Sequence, residues 1–316
     1  MTCNQPMVSV VVPCLNRASL LAPTIDSIVK QQYPNIECIA VDGGSTDGTV
    51  DILRNYGDKV RWVSEPDNGH ADAINKGWKM SKGEILAWLN ADDCYVLPDA
   101  IAKAVAYLQE NPDVDVVYGD SVTIDSIGNR TSDVIRPRKW DLTYAVRYCY
   151  YTIPQPSSFM RRRILERVGW LDPEFRYGKD HELWLRIGLV GTIKYVPILF
   201  AYVRDCPGIS QQLETSRSKV RLTEKFFSNP DLPPPFNARR FQRVALSNSY
   251  LVGSLYIWKG GRCLRQFLKY LLRAFATDPV NLPYILWRVV GLFLGTILPP
   301  QWKQVMKKSL SVLGRC

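Results

Sequence analysis

The sequence is poor in the nitrogen and sulfur patterns that bind metals. It has two histidines, His70 and His181, which are too far apart to form a ligand spacing. We expect His70 to cap a helix start and His181 to lie on the surface. The eight cysteines form no CxxC pair, which argues against structural zinc and against a disulfide framework. The sequence therefore predicts reduced thiols and a cytoplasmic location.

The sequence also lacks long apolar runs. The run at 289–298 has ten residues, about half of the roughly twenty that a membrane-spanning helix needs. Residues 1–7 are polar and lack the charged and apolar regions of a signal peptide, so we expect none. These absences disfavour an integral membrane protein.

Positive charge is concentrated in the tail of the chain. The net charge is +10, and residues 253–316 carry ten basic residues and one acid, Asp278, whereas the remainder is nearly balanced at 30 basic and 29 acidic residues. Basic residues next to apolar segments indicate an anionic partner, either phospholipid or nucleic acid. Because the rest of the chain is near-neutral and the tail is strongly apolar, nucleic acid is the less favoured partner.

The segment 262–276 is predicted to be an amphipathic helix. Three tryptophans accompany the charge of the tail, a feature of helices that lie at a membrane surface, so we expect the tail to bind the inner face of the cytoplasmic membrane. The alternative is that the helix packs on the rest of the chain, with its basic side in water. The apolar stripe is Leu264, Phe267, Leu268, Leu271 and Phe275, the basic face is Arg262, Arg265, Lys269 and Arg273, and the tryptophans are Trp258, Trp287 and Trp302.

A short apolar run ends in two adjacent carboxylates. The run at 85–89 has the length of a strand and is typical of a central strand in a covered parallel sheet. Asp92 and Asp93 follow at its carboxyl end, which is where open α/β sheets bind ligands. Two acids there could hold a divalent cation and, through it, a phosphate, although such a pair often only begins a solvated turn.

Strands and helices alternate along the first part of the chain. This pattern predicts a Rossmann-like, mostly parallel α/β sheet flanked by helices. Proline-rich residues 229–235 indicate a boundary, so we predict a catalytic domain at 7–210, a linker at 211–235 and a helical basic region at 236–316. Predicted strands are 8–12, 36–41, 60–64, 85–89, 114–118 and 155–160; predicted helices are 19–32, 49–56, 70–81, 98–109, 161–168 and 179–188; a hairpin is expected within 120–136 and an irregular aromatic segment at 140–152.

Five motifs then occur in order. They are Pro13 with Asn16, the turn Asp42-Gly-Gly-Ser-Thr-Asp-Gly, the segment from Gly69 through Asp72-Ala-Ile-Asn-Lys-Gly, the run Leu89-Asn-Ala-Asp-Asp, and Asp180-His-Glu-Leu-Trp-Leu-Arg. Together they resemble glycosyltransferase family 2 over about residues 7–210. The resemblance implies a GT-A fold and an inverting transferase that uses a nucleotide-sugar, with UDP favoured over dTDP or GDP.

The resemblance also implies roles for individual residues. Asp42 would accept from the uracil imide, Asp92 would hold the ribose, and Asp93 would coordinate Mg²⁺ or Mn²⁺. Asp180 would be the general base for the acceptor hydroxyl, and Glu182, which competes for this role, lies about 200° further round the helix. The remaining nucleotide-binding candidates are Pro13, Asn16, Gly69 and Asp72, with Asn75 beside them; Arg204 and Gln155 are candidate contacts to the diphosphate or acceptor; Trp140, Tyr148, Tyr150 and Tyr151 either stack on a sugar or belong to the core.

The sequence departs from the family pattern in two places. The segment 202–210 lacks the histidine that relatives often carry near the diphosphate, and the Gln-x-x-Arg-Trp signature of processive synthases is absent. We therefore expect transfer of a single sugar to a glycan or a lipid-linked acceptor. One alternative is a non-catalytic, membrane-associated carbohydrate-binding or scaffold protein. The other is a sugar-phosphate nucleotidyltransferase, although the Gly-rich basic loop expected of it is missing after the first strand.

Overall fold

The chain forms two compact units. The computed structural model describes residues 5–150, 153–204, 209–261 and 263–297. The first unit comprises residues 1–146 and 150–208, and the second comprises residues 147–149 and 209–316. The division after residue 208 falls close to the predicted end of the catalytic domain at residue 210.

The described part of the first unit contains one eight-stranded sheet. Its order is β3-β2-β1-β4-β7-β6-β8-β5. Parallel pairing joins β1 to β2 and β4, β2 to β3, and β6 to β8, whereas β7 is antiparallel to both its neighbours and β5 is antiparallel to β8. The predicted mostly parallel sheet is therefore confirmed. The strands are β1 (Val8–Cys14), β2 (Ile36–Asp42), β3 (Arg61–Ser64), β4 (Ile85–Trp88), β5 (Cys94–Tyr95), β6 (Val116–Ile124), β7 (Ser158–Arg161) and β8 (Ile193–Arg204).

Helices cover the sheet because each has an apolar stripe that buries against it. One helix packs close against the sheet at Gly77, where a Cβ atom would lie only 2.4 Å from Cγ1 of Val11 in β1. A larger residue would push the helix away from the sheet. The helices are α1 (Ala18–Val29), α2 (Thr49–Asn55), α3 (His70–Met80), α4 (Ala100–Glu110), α5 (Leu142–Tyr148), α6 (Arg162–Val168) and α7 (Lys179–Val190).

The strand register brings three loops to one edge of the sheet. Cys14 pairs with Asp42, and Val11 pairs with Trp88, so β1, β2 and β4 end side by side. All residues of β1 and β4 are buried, which is why these runs carry only apolar or small side chains. The carboxyl ends of these strands and the loops that follow them carry four of the six predicted nucleotide-site residues, Pro13, Asn16, Asp42 and Asp92.

The structure differs from the expected secondary structure in two segments. Residues 140–152 were expected to be irregular but include α5, whose aromatic residues have low helix propensity and gave no signal. The expected strand at 155–160 begins with a 3₁₀ turn, and only its second half forms β7. The hairpin expected within 120–136 is confirmed by antiparallel bridges from Ser121 to Ile135 and from Ile124 to Arg130.

The second unit is helical in its described residues. Its first helix, α8, occupies most of the segment 211–235 that was predicted to be a linker. The prolines at 229–235 instead lie in the loop that follows α8, where Leu232 and Phe236 are buried inside the unit. No helix among the described residues has the length and apolar character to span a membrane. The helices are α8 (Ile209–Phe227), α9 (Arg239–Gly261), α10 (Leu264–Thr277) and α11 (Leu282–Ile297).

Candidate active site

The acid pair lies in the short loop between β4 and β5. Asp93 is only 2 % exposed, and Asp92 beside it is half-buried. The amide Nδ2 of Asn90 donates to Oδ2 of Asp93 over 2.8 Å, and the backbone N–H of Arg204 donates to Oδ1 over 3.0 Å. The loop therefore presents two carboxylates of different accessibility at the edge where the parallel strands end.

Arg204 holds this loop through its side chain as well. Its Nε donates to the backbone carbonyl of Asp92 over 3.0 Å, and its Nη1 donates to the carbonyl of Asp125. We predicted that the guanidinium contacts the phosphates directly, but in the structure these two groups bind backbone oxygens. Because β5 pairs with β8, the end of β8 brings Arg204 to the acid pair. The geometry favours a positioning role for Arg204.

Burial raises the pKa of Asp93 to about 7, with the charge of Asp92 as the second cause. The hydrogen bonds from Arg204 and Asn90 act in the opposite direction. A positively charged partner stabilises the ionised form of a buried carboxyl that lies beside a second acid. Carboxylate oxygens are hard ligands, which Mg²⁺ and Mn²⁺ prefer. Among the described residues no group of three or more histidine, cysteine or acidic side chains is placed to hold a metal ion. A cation here would take its other ligands from water and diphosphate, as Mg²⁺ commonly does.

We predict that removing the Arg204 side chain weakens metal binding rather than the fold. Arg204→Met keeps the backbone N–H that binds Asp93 but loses the contacts to the Asp92 and Asp125 carbonyls. Outer-shell losses of this kind typically cost about 10- to 100-fold in metal affinity. The measurement is the Mn²⁺ concentration that gives half-maximal nucleotide binding.

The matched control for this variant is Arg54→Met, on the exposed surface of α2, where Arg54 pairs with Asp51. We expect the control to leave the half-maximal Mn²⁺ concentration unchanged. A lower melting temperature in Arg204→Met with an unchanged Mn²⁺ requirement would contradict the positioning role.

Asp42 is fully buried beneath its own turn. Its Oδ2 accepts from the N–H of Ser45 over 2.9 Å and from the hydroxyl of Ser64 over 2.7 Å, and its Oδ1 accepts from the hydroxyl of Ser45. A uracil imide would have to displace one of these donors to reach the carboxylate. The arrangement explains why a Gly-Gly-Ser turn follows Asp42, since the backbone must fold back over it.

Asp67 is a carboxylate near this turn that the sequence analysis missed. A Cβ atom at Gly43 would lie 2.7 Å from Oδ2 of Asp67, so the absent side chain makes room for this acid. Its Oδ1 accepts from the N–H of Gly69 over 2.8 Å, and Gly69 has φ +103°, a conformation that favours glycine. Unlike Asp42, Asp67 is only half-buried.

The loops after β1 and β2 are joined through Asn16. Its Oδ1 accepts from the N–H of Thr46 over 3.0 Å, and its own N–H donates to the hydroxyl of Ser45 over 2.7 Å. Asn16 has φ +52°, which asparagine tolerates better than most residues. Pro13 is buried opposite Val41 in β2. Pro13 and Asn16 therefore shape the predicted nucleotide pocket, and Asn16 is exposed at its rim.

Two polar residues of α3 also bind backbone groups. Asp72 accepts from the N–H of Asn68 over 3.0 Å, which fixes the loop before the helix. The Asn75 amide both donates to the carbonyl and accepts from the N–H of Leu171, over 2.8 and 3.0 Å. Asn75 thus anchors the loop that leads into α7.

Helix α7 carries Asp180 in its first turn, where the side chain is half-buried. His70, at the start of α3, is close enough to Lys179 and Arg17 to interact electrostatically and hydrogen-bonds to Asn90. Trp184 of α7 stacks on Trp88 at the end of β4, with ring centroids 6.2 Å apart. The start of α7 therefore lies with the loops after β1 and β4.

The competing acid, Glu182, has a structural partner. It is buried and forms an ion pair with Arg186 over 2.8 Å. Arg186 also donates to the backbone carbonyls of Val168, Gly169 and Trp170, so the pair fixes the loop before α7. This arrangement leaves Asp180 as the better-placed candidate base. His181, expected on the surface, is buried at the start of the same helix, so that expectation was wrong.

The remaining predicted contact residues have partners within the fold. Gln155 is buried, and its Nε2 donates to the carbonyl of Trp88 over 2.7 Å, so its amide supports β4. Trp140 packs against the core beside Gly188. Tyr148 contacts Tyr284 in the second unit, whereas Tyr150 is half-exposed. Tyr151 lies outside the described residues. Among the described members of this aromatic set, Tyr150 is the most exposed.

Comparison with known proteins now identifies the family. The family model described as glycosyl transferase family 2 matches residues 9–169, about half of the chain. The chain belongs to glycosyltransferase family 2. A PGL/p-HBAD biosynthesis glycosyltransferase of Mycobacterium tuberculosis is 38% identical over 223 residues, which are 69% of this chain and 84% of that protein. A glycosyltransferase of Rickettsia typhi is 30% identical over 196 residues, and this chain spans only 61% of its length.

Two solved structures share the fold of this chain. TarS 1–349 of Staphylococcus aureus, in complex with UDP-GlcNAc, superposes with a TM-score of 0.64 at 17% identity and covers 88% of this chain and 83% of that one. The mannosyltransferase PcManGT of Pyrobaculum calidifontis, in complex with GDP-Man and Mn²⁺, gives 0.61 at 22% identity, with 95% and 84% coverage. The GT-A fold that the motifs predicted is therefore confirmed.

Proposed function

We propose that this family 2 chain transfers a single sugar from a UDP-sugar to a hydroxyl of a glycan or lipid-linked acceptor, with inversion at the anomeric carbon. The observation that carries the proposal is the buried Asp93 beside the half-exposed Asp92, at the edge where β1, β2 and β4 end. The neighbours with bound UDP-GlcNAc, or GDP-Man and Mn²⁺, support a nucleotide-sugar and a divalent ion.

The acid pair and the loops around it would bind the donor. Asp93 would hold Mg²⁺ or Mn²⁺, whose contribution when bound is to offset the negative charge on the departing diphosphate. Asp92, which is more open, would bind the ribose. Asn16 and Asp67 border the nucleobase end of the pocket, with Asp67 as the more accessible carboxylate near the Asp42 turn.

Asp180 would act on the acceptor. Its carboxylate takes the proton from the acceptor hydroxyl while the oxygen bonds to the anomeric carbon and the bond from that carbon to the diphosphate oxygen breaks. The first turn of a helix favours a negatively charged side chain, which suits a carboxylate base. Attack opposite the leaving group inverts the anomeric carbon.

A calorimetric titration tests the donor class. UDP, GDP and dTDP are titrated with and without Mn²⁺ into the wild type, Asp93→Ala and the exposed control Asp58→Ala. We expect UDP to bind at least about 10-fold more tightly with Mn²⁺, and we expect this gain to be lost only in Asp93→Ala.

Three results of the titration would contradict the proposal. Tighter binding of GDP than of UDP would contradict the donor assignment. An equal Mn²⁺ effect in wild type and Asp93→Ala would contradict the metal site. Failure of all three nucleotides to bind would favour a non-catalytic role.

A further inference from the structure

One side of α10 is apolar although it faces solvent. The helix packs on its own unit through Phe267, Tyr270 and Ala274, which are buried. At 100° per residue, four other apolar side chains fall within about 80° of arc next to that buried face. These residues, the α10 stripe, are Leu264 (56 % exposed), Leu268 (44 %), Leu272 (66 %) and Phe275 (41 %).

The structure changes which residues form the predicted apolar stripe. Phe267, which was expected to belong to it, is buried, and Leu272, which was not, is its most exposed member. The expected role of tryptophans also changes, because Trp258 packs on Phe267 with centroids 5.1 Å apart and Trp287 stacks on Tyr284. Trp302 lies outside the described residues. The apolar groups that α10 exposes to solvent are therefore the aliphatic and phenyl side chains of the stripe.

A row of cations borders the α10 stripe. Arg265, Lys269 and Arg273 are all exposed and occupy the next 80° or so of the helix surface. Within the described residues none of the three forms an ion pair with a carboxylate. The exposed side of α10 is thus divided into an apolar half and a basic half.

Helix α11, which contacts α10, carries a second apolar stripe. Leu282, Leu286 and Val290 follow one another at four-residue spacing and are exposed, while Ile285 is buried within the unit. Val280, in the connection between the two helices, is 75 % exposed. Apolar exposure is therefore a shared property of these two helices.

The positive charge on the exposed side of α10 restricts which partner can bind there. A second copy of the chain would bring the same positive row against this one. Residues 298–316 contain Lys303, Lys307, Lys308 and Arg315 and no acid, so they offer no carboxylate to the row. The occupant has to supply apolar volume next to negative charge. An anionic lipid surface does both, and helices with this division of charge and apolar surface lie in that interface.

We propose that α10 docks this protein on an anionic lipid bilayer, with the α10 stripe among the acyl chains and with Arg265, Lys269 and Arg273 at the headgroups. The proposal does not depend on the identity of the donor or on the transfer reaction. It places the second unit at a membrane surface through the face of one helix.

Flotation of the full-length protein with vesicles tests the proposal. Vesicles of phosphatidylcholine alone are compared with vesicles that contain phosphatidylglycerol, at low and at high salt. Two double variants separate the apolar from the basic contribution to binding. The first is Leu268→Gln with Leu272→Gln, and the second is Arg265→Gln with Lys269→Gln. The control is Ile127→Gln, which alters a side chain that is 82 % exposed in the first unit.

We expect the wild type and the Ile127→Gln control to bind the anionic vesicles and to be released by salt. Each double variant should lower the partition coefficient at least about 10-fold, and the charge variant should also lose the preference for phosphatidylglycerol. All variants should keep the wild-type melting temperature and nucleotide binding, since the altered side chains are exposed.

Three outcomes would overturn the proposal. The first is wild-type flotation no greater with anionic than with neutral vesicles. The second is binding that neither double variant reduces. The third is a concentration-dependent dimer that the leucine variant abolishes, since this result would assign the stripe to a second copy of the chain. A failure of UDP binding in the titration above would leave these outcomes unaffected, so the two proposals are tested separately.

Discussion

Replacing Asp93 by asparagine is expected to lower the rate of sugar transfer by about 10³-fold and, at the same time, to stabilise the metal-free protein. The rate falls because asparagine has no negative charge with which to hold Mg²⁺ or Mn²⁺ opposite the diphosphate. Loss of one preorganised electrostatic contact to a departing group commonly costs about 10²- to 10³-fold. Loss of the charge that holds a divalent ion should cost at least as much.

The gain in stability follows from the raised pKa of Asp93. Its pKa is about 7 in the folded protein against an ordinary value of 3.8, so the folded state binds more protons than the unfolded state between these values. The free energy of unfolding therefore falls as pH rises from about 4 to 7, and it stays low above pH 7. Asparagine removes this penalty. We expect a gain of the order of 2 kcal/mol at pH 8 and none near pH 3.

The measurements are transfer rates at saturating Mn²⁺ and melting curves at several pH values without metal. Asp58→Asn, an exposed carboxylate, is the matched control, and it should change neither quantity. Retention of more than about a tenth of the wild-type rate in Asp93→Asn would contradict the metal role. A pH-independent stability difference from the wild type would contradict the raised pKa.

The sequence was sufficient to predict the elements at the open edge. β1, β2 and β4 each contain a short, buried, mostly apolar run, which is typical of the central strands of a covered parallel sheet. Their parallel direction follows from the intervening helices. The position of Asp92 and Asp93 at a strand end was therefore predictable from their place in the chain.

Contacts between distant parts of the chain were not predictable. Arg204 lies 111 residues from Asp93, and Asn75 lies 96 residues from Leu171. No local pattern connects such pairs, because the fold alone brings them together. The same reason explains why the backbone partners of the Arg204 side chain could not be predicted, since β8 brings Arg204 to the acid pair only once it has paired with β5.

The antiparallel direction of β7 and the helical second unit could not be predicted from the sequence, for a different reason. A buried run such as β7 has no sequence feature that reveals its direction. The sequence therefore could not show that β7 is antiparallel to its two neighbours. Prolines stop a helix equally in a linker and in a loop between packed helices. Only the burial of Leu232 and Phe236 distinguishes these two cases, and burial is a property of the folded chain.

The choice between two acids in one helical turn can be tested by a pair of variants with opposite effects. Asp180→Asn should reduce transfer by about 10³- to 10⁴-fold, at the upper end of the range for loss of a general base. It should leave the melting temperature and Mn²⁺-dependent nucleotide binding unchanged, because the half-buried Asp180 acts on the acceptor alone in the proposed mechanism.

Glu182→Gln should show the reverse. It breaks the buried ion pair with Arg186, which holds the loop at Val168, Gly169 and Trp170, and we expect a loss of about 2 kcal/mol of stability. Transfer per folded molecule should stay within a few-fold of the wild type. Transfer rates, melting curves and calorimetry on both variants separate the two roles. Loss of transfer in a fully folded Glu182→Gln, with Asp180→Asn active, would reassign the base to Glu182, and the Arg186 pair would then be the device that holds it in place.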